Sequence, residues 1–148
     1  MILVRAEAEE NTRSVMENNN MKIVFISGLL TSGWDKKDRS YLENNIKNAE
    51  AYQIALINAG IGCFCPHAHT SFHREKGSKA PEKFYYKMGL EFLKRSADAL
   101  LAMPGWEKSK GANLEVECAL ANNLKIFYPK SPADIDDIIS WAKKPEHY

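Results

Sequence analysis

Short apolar runs alternate with longer segments of helical spacing along most of this chain. Each run is rich in β-branched or other apolar side chains and ends at glycine, proline or polar residues. Such runs are typical of strands that are buried on both faces of a parallel sheet. The pattern predicts four strands: Lys22 to Ser27, Ile61 to Cys65, Ala99 to Met103 and Lys125 to Tyr128.

The segments between these strands have the spacing of amphipathic helices. The first helix is predicted from about Ser40 to a stop at Gly60, and the second from about Pro81 to Ser96. The third is predicted to start near Gly111. Its sheet-facing residues are predicted to be Ala112, Val116, Ala119 and Leu120.

The last helix is predicted to begin with Ser131 as its N-cap, Pro132 at the first helical position and Asp134 at the third. Strands that alternate with helices imply a parallel sheet with right-handed crossovers. We therefore predict an α/β fold of the Rossmann or flavodoxin class, a single domain over residues 21–148 with four to five parallel strands flanked by helices. Residues 1–20 show no clear period and are predicted to form an appendage, either helical or disordered.

The charge and the cysteine content of the chain argue against several classes of function. The 148 residues include 20 basic and 19 acidic side chains, a net charge of +1, so we expect no nucleic acid polymer as partner. We expect no membrane association, because no apolar run approaches the roughly 18 residues of a membrane span and the amino terminus is unlike a signal peptide. Three cysteines, an odd number, argue against a disulfide framework. These features predict a reduced, cytoplasmic protein.

The stretch from Ala97 to Ala121 carries the most specific signal in the chain. It is predicted to form a buried strand, a turn-rich loop and then a helix, so that Glu115 lies in the first or second helical turn beside the carboxyl end of the strand. Unpaired helix N–H groups and the helix dipole favour anionic ligands at that place. Glu117 lies about 200° further round the helix, so one of the two carboxylates can line a site while the other stays in solvent.

Within this stretch, Ser109, Gly111 and Glu115 form the motif S-x-G-x-x-x-E. The serine offers a hydroxyl, the glycine permits close approach of the backbone to a ligand, and the glutamate offers a carboxylate. A carboxylate placed in this way can act as a nucleophile or stabilise a developing oxocarbenium ion. The alternative is that Glu115 only stabilises the helix through its dipole.

Three loops that follow predicted strands should converge at one edge of the sheet. They are residues 28–38, 66–80 and 104–110. Trp34 and Trp106 lie on two of these loops, where an aromatic ring can stack on a nucleobase or cap the core. Of Tyr85 and Tyr86 on the second helix, one is expected to pack and the other to reach the same edge, and Tyr86 is the candidate ligand contact.

A cluster of Cys63, Cys65, His67, His69 and His73 raises the question of a metal site. Its spacing does not match a standard zinc pattern, and a proline separates the cysteines from the histidines. We instead expect two buried thiols, with His67 and His69 contacting a ligand. No metal and no cofactor are expected.

Three stretches resemble a known superfamily over about Lys22 to Tyr128. They are KIVFISGLLTSG, NAGIGCFCPH and ADALLAMPGWEKSKGANLEVECALANNLKIFY, of which the last is the specific one. In these stretches the chain resembles the nucleoside 2-deoxyribosyltransferase-like superfamily, which includes deoxynucleoside 5′-monophosphate N-glycosidases. The resemblance implies an enzyme that cleaves or exchanges an N-glycosidic bond, and self-association into a homodimer or a larger homo-oligomer.

The resemblance also implies roles for individual residues. Glu115 matches the catalytic glutamate, which attacks the anomeric carbon or stabilises its cationic transition state. Ser109 falls where the monophosphate hydrolases carry a serine for the 5′-phosphate, which favours a nucleotide over a free nucleoside. Gly28 and its neighbours would border the sugar or the phosphate.

One position departs from the pattern of this superfamily. Its enzymes usually carry an aspartate in a D-L-x-x-L sequence before the third strand, but the corresponding residue here is Gly89. Glu91 lies two residues further on and belongs to another helix face. This departure leaves open an alternative function, a non-catalytic binding module for a nucleotide or a nucleotide-derived ligand.

Overall fold

Four parallel strands form the sheet at the centre of the computed structural model, which describes residues 2–15, 21–29, 39–66, 73 and 76–143. The strand order is β2-β1-β3-β4. The strands are β1 (Ile23–Ser27), β2 (Gly62–Phe64), β3 (Ala99–Ala102) and β4 (Lys125–Phe127). The predicted α/β class, with a single flavodoxin- or Rossmann-like sheet of four strands, is confirmed.

Five α-helices lie within the described residues. They are α1 (Ile2–Val15), α2 (Arg39–Asn58), α3 (Glu82–Ser96), α4 (Lys110–Ala121) and α5 (Asp136–Lys143). A short 3-10 helix, Trp106–Lys108, precedes α4. Gly60 has a φ of 76° and closes α2 as predicted, because glycine enters this left-handed region without a steric penalty.

Successive residues of β1 face opposite layers of the fold. Val24 and Ile26 pack into the core shared with α2 and α5, whereas Phe25 packs into the core shared with α3 and α4. This alternation is the two-residue period of a strand. It directs Ser27, the last residue of β1, toward the layer of α3 and α4.

Two predictions about the helices are wrong. Leu120 does not face the sheet but is 61% exposed, because it lies about 100° beyond the buried Ala119 on the helix. The last helix begins at Asp136 and not at Ser131. Asp134 explains the later start, since its carboxylate accepts a 2.8 Å hydrogen bond from the Lys130 N–H and holds the preceding residues in a turn.

The amino-terminal appendage is helical over α1. Every side chain described there, in residues 4–15, is exposed. Among the described residues, no helix is both long enough and apolar enough to cross a membrane.

Candidate active site

In the strand order, β2 lies next to β1 on one side, and β3 and β4 lie on its other side. The direction in which strands are added therefore reverses between β1 and β3. In open α/β sheets, the carboxyl ends of the strands at such a reversal form the crevice in which ligands bind. Ser27 and Ala102 are paired at this edge, as the last residues of β1 and β3. The site described below is built around Ser27.

The hydroxyl of Ser27 donates a 2.6 Å hydrogen bond to Oε1 of Glu115. Ser27 is completely buried, and Glu115 is partly buried in the second turn of α4. Glu117 is exposed, as the helical spacing predicted for one of the two glutamates. The sheet edge and α4 therefore hold one carboxylate inward at the crevice.

Burial raises the pKa of Glu115 to about 7, and the hydrogen bond from Ser27 partly offsets this rise. The cause is desolvation, which disfavours the charged carboxylate, whereas a donated hydrogen bond favours it. Near neutral pH both protonation states are populated. Such a group can accept a proton, donate one or act as a nucleophile.

The second oxygen of this carboxylate faces Gly89 of α3. A Cβ atom built at Gly89 would lie 3.4 Å from Oε2 of Glu115. A side chain at the position where the resembled enzymes usually carry an aspartate would therefore contact Glu115. Because glycine has no side chain, this position places no further group next to the carboxylate.

Ser109 is the N-cap of α4. Its Oγ accepts a 3.1 Å hydrogen bond from the Ala112 N–H, and its carbonyl accepts one from the Asn113 N–H. A serine hydroxyl can accept and donate at once, so the Ser109 hydroxyl can also donate to a ligand. Lys108 and Lys110 on either side are exposed.

Tyr86 lies near the start of α3, and its ring packs on the start of α4. A Cβ at Gly111 would lie 3.0 Å from Cε1 of Tyr86, so glycine permits this ring to pack on the start of α4. The Tyr86 hydroxyl donates to the Glu82 carboxylate. Burial, followed by Glu82 and then Glu115, raises the pKa of Tyr86.

The structure places the other predicted site residues as follows. Trp106 is partly buried, packs against the core under α3 and α4, and has its ring 6.0 Å from that of Tyr128. Gly28 is buried against Met103, whose Cε would lie 2.6 Å from a Cβ at this position. Three predicted ligand contacts, Trp34, His67 and His69, lie outside the described residues.

Cys63 and Cys65 pack against α2 and the sheet. Cys65 is buried, whereas Cys63 is only partly buried and its thiol donates to the Gln53 carbonyl over 3.9 Å. The expectation of two buried thiols is therefore right for Cys65 and overstated for Cys63. Within the described part of the chain, no group of three or more His, Cys, Asp or Glu residues is placed to hold a metal ion.

Sequence reasoning missed three features of this site. It did not identify Ser27 as the partner of Glu115, although a serine that ends an otherwise apolar strand was a usable signal. It treated Gly89 as a missing residue, whereas in the structure a Cβ at this position would lie 3.4 Å from the carboxylate. It also did not anticipate the pairing of Tyr86 with Glu82.

The chain belongs to the family described as a domain of unknown function, DUF4406, whose model matches residues 21–128. The matched range runs from just before β1 to just after β4 and includes Ser27, Gly89 and Glu115. Helices α1 and α5 lie outside it. A comparison with curated proteins gives no match.

Proposed function

We propose that this protein cleaves or exchanges the N-glycosidic bond of a (deoxy)nucleoside 5′-monophosphate, with Glu115 as the catalytic residue. The observation that carries the proposal is the inward carboxylate of Glu115, held by Ser27 at the point where the order of the parallel strands reverses. Such a reaction needs a carboxylate whose pKa suits the chemistry and a site that favours an anionic substrate. Glu115 has a shifted pKa and lies close to a helix start, which favours anions.

In the proposed reaction, the ionised Glu115 faces the anomeric carbon of the sugar. The bond from this carbon to the base nitrogen breaks, and its electron pair leaves with the base, which takes up a proton from the solvent. The resulting oxocarbenium ion is either captured by a Glu115 oxygen as a glycosyl ester or held by its charge until water arrives. Water then gives hydrolysis, and a second base gives exchange. In hydrolysis the attacking water returns a proton to the solvent.

The 5′-phosphate is assigned to the start of α4. The Ser109 hydroxyl keeps a proton to donate, and the positive end of the helix dipole lies there. Serine carries no negative charge that would repel a phosphate. The exposed Lys108 and Lys110 add positive charge on both sides.

A specific observation also favours the second candidate, a binding module without turnover. Gly89 places no carboxyl group beside Oε2 of Glu115, so this position cannot donate a proton to the departing base. Under this alternative the same crevice holds a nucleotide and releases it unchanged.

Base release separates the two candidates. Wild type, Glu115→Gln and Glu117→Gln are incubated with a panel of ribo- and deoxynucleoside 5′-monophosphates, and free base is measured by chromatography. The enzyme proposal expects release by wild type and Glu117→Gln, and a loss of at least about 100-fold in Glu115→Gln. Thermal stabilisation of wild type by the same nucleotides without any release favours the binding module.

A gain-of-function variant sharpens this comparison. Gly89→Asp restores a carboxyl group beside Glu115, so under the binding alternative it is the variant expected to acquire base release. If wild type is inert and this variant is active, Gly89 is what separates binding from catalysis. Inert wild type and variant, together with no thermal stabilisation, would contradict both candidates.

A further inference from the structure

The ring of Tyr86 packs on α4 one helical turn before Glu115. A Cβ atom at Gly111 would lie 3.0 Å from Cε1 and 3.3 Å from Cδ1 of this ring. Gly111 and Glu115 are four residues apart and therefore share one face of α4. Because side chains lean toward the amino terminus of their helix, the Glu115 side chain extends toward the turn that contains Gly111. The ring thus occupies space beside Glu115 that Gly111 leaves empty.

Helix α3 places Tyr86 next to the same carboxylate. Tyr86 is three residues before Gly89, so both lie on one face of α3. That face is turned to α4, since a Cβ at Gly89 would lie 3.4 Å from Oε2 of Glu115. Tyr86 therefore stands above the carboxylate, at the seam between the first turns of α3 and α4.

On its other side, Tyr86 lines a groove between the outer surfaces of α3 and α4. The groove encloses about 860 Å³ and is also lined by Leu90 from α3 and by Leu114 from α4, whereas Glu115 does not line it. Tyr86 thus separates this open groove from the carboxylate. A much smaller side chain at this position would connect the two.

The ring is held in the seam at two points. Its edge packs on the start of α4 at Gly111. Its hydroxyl donates to the carboxylate of Glu82, one turn earlier on α3. A hydrogen bond to a charged acceptor is stronger than one between neutral groups. The apolar contact and the polar contact together fix the position of the ring.

Water has a larger effect on Glu115 than neighbouring charges have. Burial is the main cause of its raised pKa, and the hydrogen bond from Ser27 on β1 opposes it. Two titratable side chains are coupled to Glu115, Tyr86 from α3 and Cys118 from the next turn of α4. Burial raises the pKa of both, so neither is charged near neutral pH. The protonation of Glu115 is therefore sensitive to how well water is excluded.

We propose that Tyr86 is a positioning residue of the active site, whose ring closes the seam between α3 and α4 and keeps water from reaching Glu115 through the outer groove. The carboxylate is then open to a ligand from the edge of the sheet. The role of this closure in base release rests on the proposed function. The closure itself belongs to the fold and can be measured without turnover.

A titration of the Glu115 side chain by NMR tests the closure. Full-length wild type is compared with Tyr86→Phe, Tyr86→Leu and Tyr86→Ala. The phenylalanine variant keeps the ring, so its midpoint should stay within about 0.5 pH unit of wild type. The leucine and alanine variants should titrate lower, the alanine variant by about one pH unit or more, because water then reaches the carboxylate.

Tyr85→Ala is the matched control. Tyr85 is the preceding residue of α3, but its hydroxyl pairs with Ser78 and its ring lies 6.1 Å from that of His73. This variant should leave the midpoint of Glu115 unchanged. Circular dichroism verifies that each variant is folded, and the leucine variant decides the test if Tyr86→Ala does not fold.

The closure is overturned if all folded Tyr86 variants titrate like wild type. It is also overturned if Tyr86→Phe lowers the midpoint as far as the leucine or alanine variant, or if Tyr85→Ala lowers it equally. Base release adds a separate readout, since its acid limb should move to lower pH in Tyr86→Leu and Tyr86→Ala but not in Tyr86→Phe. A wild type that releases no base contradicts the proposed function, and the NMR midpoints still decide the closure.

Discussion

Ser27 and Glu115 are 88 residues apart in the chain and are joined by a 2.6 Å hydrogen bond. The serine is buried at the end of β1, and the glutamate comes from α4 across the edge of the sheet. Oε1 of Glu115 accepts this hydrogen bond, and the other carboxylate oxygen, Oε2, lies beside Gly89. The predictions below follow from this pair and its neighbours.

Replacing Ser27 with alanine should raise the pKa of Glu115 above about 7, because the hydrogen bond that favours the charged form is lost. A rise of about one unit would reduce the ionised fraction at pH 7 from about a half to about a tenth. The acid limb of the pH profile of base release should then move to higher pH. Ser96→Ala is the control, since the Ser96 hydroxyl donates to the Phe92 carbonyl on an exposed part of α3. An unmoved limb in Ser27→Ala would contradict the assignment.

Glu115 should make the fold less stable as the pH rises. Its ordinary pKa is 4.5, and the fold raises it to about 7. Between these values the unfolded chain has released the proton while the folded chain retains it, so the free energy of unfolding falls as pH rises from about 4.5 to 7 and is then level. The full penalty is about 3 kcal/mol.

Glu115→Gln should remove this pH dependence, because an amide does not ionise. Urea unfolding at pH 5 and pH 8 measures it in wild type, Glu115→Gln and the exposed control Glu117→Gln. We expect wild type and the control to lose more stability between the two pH values than Glu115→Gln. Equal losses in all three proteins would show that Glu115 is not desolvated in the fold.

Gly89→Ala should stabilise the protein by about 0.5–1 kcal/mol, since alanine replaces glycine inside a helix. The new Cβ would lie 3.4 Å from Oε2 of Glu115, which is an ordinary contact. Thermal unfolding at pH 5, where Glu115 is protonated, measures the change without the effect of charge. A loss of stability there would mean that the space beside the carboxylate is narrower than the structure shows.

Gly28→Ala should destabilise the protein by about 1–3 kcal/mol through overpacking. The new methyl group would lie 2.6 Å from Cε and 3.0 Å from Cβ of Met103, and this buried side chain has to move. Combining it with Met103→Ala should cost less than the sum of the two single variants, because the smaller residue makes room. Additive losses in denaturant unfolding would contradict the clash.

Local patterns in the sequence predict most of the fold. The two features that were predicted wrongly depend on how particular residues pack or bond. Alternating apolar runs and helical spacings were enough to place all four strands within one or two residues. Leu120 was misplaced because helical periodicity alone does not give the width of the buried face. The start of α5 was misplaced because the side chain of Asp134 binds back to Lys130 instead of capping a helix that begins at Ser131.

The site was predictable only in part, for the same reason. Glu115 and the Ser109 N-cap belong to one continuous motif, so spacing alone points to them. The hydrogen bond of Glu115 to Ser27 and its position beside Gly89 bring together three separate elements. No local period encodes such contacts, since they depend on how α3 and α4 pack on the sheet.

The most direct test of a buried, ligand-facing acid at this crevice is an NMR titration of the Glu115 side chain, with ¹³C-labelled glutamate and with Glu115→Gln to assign the signal. The account predicts a midpoint near pH 7, a higher midpoint in Ser27→Ala, and a shift of the signal when a nucleoside 5′-monophosphate is added. A midpoint near the ordinary value of 4.5, unchanged by Ser27→Ala and by every nucleotide, would contradict it.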